Sequence, residues 1–74
     1  MIEKLNIFIN TQFNYAKRFM DDRASFNAVW HNALGAVCFA QMVAETPEEY
    51  HAIGSLWSNE WEEKWESLYE KVRG

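Results

Sequence analysis

At 74 residues the chain has room for one domain, and a chain of that size buries only about 60% of the surface it exposes when unfolded. Apolar residues make up 49% and aromatic residues 16%, more ring surface than one small core readily covers, and such an excess marks an interface. Eleven acids against seven bases give a net charge of −4, which speaks against a duplex-binding footprint, and the single cysteine excludes a disulfide framework and a CxxC redox or zinc pattern.

The first predicted helix spans about residues 2–21. Ile2, Leu5, Ile9, Phe13, Ala16 and Met20 advance by three or four, the step of one helical face. Phe8, Tyr15 and Phe19 widen that face on one side, while Asn6, Asn10 and Asn14 form a polar ladder on the other. Lys17, Arg18 and Arg23, interrupted by Asp21 and Asp22, read as helix-end charge, and one of the two aspartates is placed to cap the next helix. Glu3, Asn6 and Asn10 interrupt the apolar core that a signal peptide needs, so the expected location is the cytoplasm.

The second predicted helix, about 24–45, contains the stretch ASFNAVWHNALGAVCFAQMVA, which carries no Asp, Glu, Lys or Arg. Its length suits a membrane span, since about 20 residues cross the hydrocarbon core. Its content does not: Asn27, His31, Asn32 and Gln41 are costly in lipid, and no Lys or Arg cluster flanks either end. Protein is therefore the expected surrounding. Phe26, Val29, Trp30, Ala33, Ala36, Val37, Ala40, Val43 and Ala44 share one face, and Ala24, Ala28, Ala36, Ala40 and Ala44 mark a row of small residues for close helix approach. Leu34, Cys38, Phe39 and Met42 lie beside His31 on the other side, with Cys38 expected to act as a small buried hydrophobe. A helix apolar all round is buried all round. Two neighbours do not surround it, so a second copy of the chain is expected to complete the bundle about a two-fold axis. The expected dimer interface is Phe8, Tyr15, Phe19, His31, Leu34, Cys38, Phe39 and Met42.

The boundary ETPEE is the clearest in the chain. Thr46 suits an N-cap, Pro47 the first helical position, and Glu49 the third position of a capping box. The short connection makes the flanking helices antiparallel neighbours. The third predicted helix, about 47–72, turns Tyr50, Ile53, Trp57, Trp61, Trp65, Leu68, Tyr69 and Val72 to the core. Glu48, Glu49, Glu60, Glu62, Glu63, Glu66 and Glu70 form an acidic face on the other side, suited to a protein partner. Gly54, between Ser55 and Ser58 and the helix start, is the expected site of a kink or break. The fold class is thus all-α: a single domain, 1–74, forming a three-helix antiparallel bundle completed as a homodimer.

Catalytic chemistry has little support. Glu48 and His51 form the E-x-x-H of carboxylate-bridged di-metal bundles, but such sites need that motif twice together with two further glutamates. These two are weak metal candidates, with two solvated residues as the simpler expectation. His31 and Cys38 share a face but stand two turns apart, roughly 10 Å, too far for one metal ion. Ser25, Ser55, Ser58 and Ser67 lack a base and a Gly-rich elbow. The row Trp57, Trp61, Trp65 coincides with the core stripe, so packing accounts for it. No cofactor, nucleic acid or membrane is expected as a direct partner. The leading expectation is a small acidic non-enzymatic protein that homodimerises and acts by protein contact. The alternative is an acidic inhibitor that imitates nucleic-acid charge against a basic target; a metal-carboxylate enzyme at the dimer interface comes third.

Overall fold

Two side-chain caps set the reversals of the chain. Asp22 takes an extended conformation (φ −136°, ψ 94°), where its carboxylate accepts from the Ser25 N–H at 3.2 Å and from the Ser25 hydroxyl at 2.7 Å. Those bonds satisfy donors that the first turn of a helix leaves open. Thr46 repeats the device: its Oγ1 accepts from the Glu49 N–H at 3.1 Å, with Pro47 in the first turn. Only this half of the expected capping box forms.

Between and beyond these caps a computed structural model describes all 74 residues. It contains helices α1 (Ile2–Ala16), α2 (Arg23–Met42), α3 (Pro47–Ser55) and α4 (Glu62–Tyr69), and no strand. A 3-10 turn, Lys17–Phe19, prolongs α1. A π-helical segment, Leu56–Trp61, joins α3 to α4 into one long third helix. The three rods form the expected all-α bundle, 41 × 18 × 16 Å. The third helix runs parallel to α1. Near one end Trp61 Nε1 donates to Asn6 Oδ1 at 2.8 Å; at the other the Arg73 N–H donates to the Met20 carbonyl at 2.7 Å. Arg23 also donates to the Val72 carbonyl at 3.1 Å, so the tail is tied to the α1–α2 corner. Gly74 closes that contact at φ 106°, a left-handed conformation in which a side chain would strike the Asp21 carbonyl.

The core is apolar throughout, with no buried polar residue. Leu5, Ile9 and Ala16 enter it from α1; Phe26, Val29, Ala33, Val37 and Ala40 from α2; Ile53, Trp57, Trp61, Trp65 and Val72 from the third helix. Its centre is aromatic. Trp65 meets Phe13 edge-on at 5.1 Å, lies 6.0 Å from Phe26 and stacks within 9° of the Trp30 plane. The buried indole N–H groups of Trp30 and Trp65 meet no acceptor from the protein itself.

The helix limits differ from expectation by a turn or less. The first helix tightens to 3-10 after Ala16, the second ends at Met42 and the third at Tyr69. The second helix departs further. Ala28, His31, Gly35, Cys38, Phe39 and Met42 are exposed, so α2 is not buried all round and Cys38 is not the expected buried thiol. The small-residue row does not form one contact line either: Ala24 and Ala28 are exposed, Ala36 and Ala44 half-buried, and Ala40 buried. Four residues turn about 400°, so each step of such a row drifts about 40° around the helix. The alternation of threes and fours through Phe26, Val29, Ala33, Val37 and Ala40 stays on one side instead.

The third helix solves the same drift by changing its winding. Ile53, Trp57, Trp61 and Trp65 are spaced by four and all four are buried. On a continuous α-helix their directions would spread across about 120°. The π segment winds more slowly, with i→i+5 bonding, and brings the later indoles back toward the core. It begins two residues after Gly54, the expected weak point, so the helix is rewound there and not broken. Tyr50, expected in the core, lies ahead of this correction and is exposed.

Candidate interaction surfaces

Three surfaces carry what this bundle presents to other molecules. The first lies on α1 and α2, away from the third helix. Met1 just before α1, Phe8 on it, Phe39 and Met42 on α2 and Val43 just after it are exposed, Phe39 by 64% and Met42 by 81%. Met1 and Leu5 face Ala36, Phe39 and Val43 across a groove of about 480 Å³, in which Lys4 is the only charged residue. Tyr15 extends the apolar strip along α1 and meets Phe19 edge-on at 5.2 Å. Gly35 faces open space: a methyl group there would meet nothing within 4 Å.

The residues expected at a dimer interface fall into two groups. Phe8, Tyr15, His31, Cys38, Phe39 and Met42 are exposed. Leu34 and Phe19 are half-buried against the core and belong largely to the monomer. His31 and Cys38 point outward on α2 without a shared partner, as their spacing requires.

The second surface is acidic. Glu48, Glu60, Glu62, Glu63, Glu66 and Glu70 are exposed and Glu49 half-buried. Glu48 and His51, the weak metal candidates, both face solvent, and no three His, Cys, Asp or Glu side chains converge on a point where a metal ion would sit. His51 instead packs edge-on against Tyr50 at 5.7 Å.

The third surface is absent from the sequence expectations. A groove of about 640 Å³ between α1 and α4 gathers Lys17, Lys64 and Lys71 around Phe13 and Trp61. Lys64 and Lys71 stand seven apart, two helical turns on one face, which is the signal that would have found them. Lys17 arrives from another helix, and only the fold brings it there. Compared with protein families, curated proteins and solved structures, the chain matches none. No helix is long and apolar enough to cross a membrane.

Proposed function

We propose that the protein is a non-enzymatic helical dimer that acts through protein contacts, with the α1–α2 face joining its two copies. One observation carries this: an apolar strip bearing Phe8, Phe39, Met42 and Val43, with Lys4 as the only charged residue of its groove, stays in water although the chain is too small to spare it. Apolar surface left wet costs about 25 cal/mol per Å². A standard interface buries about 800 Å² per partner, roughly a sixth of this chain's 5049 Å². Gly35 supports the same arrangement, because a bare, open backbone one turn before Phe39 on α2 admits a second helix closely. A cytoplasmic setting accompanies the proposal.

Sedimentation equilibrium at micromolar concentration tests it. The parent is expected to be dimeric, and Phe39→Glu and Met42→Glu to shift it to monomer with helicity retained, since both side chains are outside the monomer core. Leu34→Glu is a poorer probe, because it wounds the core as well. A monomeric parent would refute the dimer, and charged variants that associate as the parent does would refute the α1–α2 face as its interface.

A second reading has its own support in the exposed glutamates of α4. In that reading the acidic side of the helix occupies a basic channel of a nucleic-acid-binding protein. It predicts binding to such a protein that weakens steeply with salt and is lost when Glu62, Glu66 and Glu70 become Gln.

A further inference from the structure

The chain is acidic, yet three of its seven cationic side chains line one groove, with Glu63 as the only acid beside them. From this groove we infer a docking site for an extended acidic segment of a partner protein. The site lies on the flank of α1 opposite the proposed dimer face and does not depend on that dimer.

Lys17 Nζ rests 5.0 Å from the Phe13 ring centre and also donates to Asn14 Oδ1 at 3.4 Å. Lys64 Nζ rests 4.8 Å from the Trp61 ring centre. The rings are themselves fixed: Trp61 donates to Asn6 and packs against Phe13 at 5.5 Å. Ammonium groups seated on aromatic faces lose less freedom when an anion arrives than free lysines do. Lys64 lies on α4 and Lys71 in the turn just after it, roughly 10 Å farther along the axis. A segment in the polyproline II conformation rises about 3.1 Å per residue with three residues per turn, so carboxylates three residues apart lie on one side and match that span.

The rest of the groove selects a peptide over other anions. Trp61 is buried and Lys17 covers Phe13, which leaves no ring face on which a nucleobase stacks. Asn10, Asn14 and Ser67 line the walls with neutral donors and acceptors that suit a peptide backbone. The surrounding negative charge repels a phosphate polymer more than a segment with two carboxylates.

Fluorescence anisotropy with a labelled peptide of two Asp-Ala-Ala-Asp repeats tests the site on the full chain. The parent is expected to bind it at low ionic strength and to release it as salt is raised. Lys17→Glu, Lys64→Glu and Lys71→Glu should each weaken binding about three- to tenfold. Lys17→Met and Lys64→Met, which keep the stem over the ring, should weaken it less, with circular dichroism unchanged. Arg73→Glu alters the net charge equally outside the groove and should leave binding as it is. No binding by the parent, equal binding of the Asn-Ala-Ala-Asn peptide, losses no larger than with Arg73→Glu, or tighter binding of a single-stranded oligonucleotide would each overturn the inference.

Discussion

Gly35→Ala separates the stability of the chain from its self-association, because the two effects have opposite signs. Gly35 lies well inside α2 and is exposed. Within a helix, alanine is favoured over glycine by about 1 kcal/mol, mainly because glycine loses more backbone freedom. The added methyl meets nothing within 4 Å, so no clash offsets that gain in the separate chain. For a chain this small, 1 kcal/mol raises the melting temperature by roughly 4–8 °C. In a dimer packed across Gly35, both copies carry the methyl, and overfilling a close helix contact costs about 1–3 kcal/mol. The dissociation constant should then rise by about tenfold, since 1.4 kcal/mol is a factor of ten. Thermal unfolding in dilute solution, where monomer prevails, reads the first effect; sedimentation equilibrium reads the second. A lower melting temperature in dilute solution would refute the open geometry at Gly35. An unchanged dissociation constant would remove Gly35 from the interface.

Thr46→Ala removes the acceptor for the Glu49 N–H and should destabilise the protein by about 1 kcal/mol in chemical denaturation. Asn6→Ala should cost about 0.5–1.5 kcal/mol, because it removes the partly buried hydrogen bond from the Trp61 indole N–H, and tryptophan fluorescence should report the change. Asp22 is held below its ordinary carboxylate value of 3.8, first by the Ser25 hydroxyl, then by the Ser25 and Ala24 backbone N–H groups, against a small opposing effect of desolvation. Its contribution to stability is therefore present above that value and lost as pH falls through the lower folded-state value. Asp22→Asn should flatten the acid side of the stability curve, and an unaltered curve would exclude the cap as its source.

The sequence by itself determined the rods and their reversals. Asp22 with Ser25, and Thr46 with Pro47, act over a single turn, so their chemistry is legible without knowledge of any neighbour. The amphipathic stripes of the first and third helices likewise separate core from solvent, because each has a charged or polar side to contrast with its apolar one. The inward side of α2 was also legible, since Phe26, Val29, Ala33, Val37 and Ala40 share a face by spacing and are buried. Tertiary structure decided the remainder. Only the packing decided that the equally apolar opposite side of α2, with Phe39 and Met42, stays in water. The π segment answers to the same cause. Trp57, Trp61 and Trp65 reach the core together only where a helix is rewound against two others, and no local residue pattern demands that change. The lysine groove depends on that packing too, because Lys17 and Lys71 lie more than fifty residues apart in sequence and become neighbours only when α1 and α4 align in parallel.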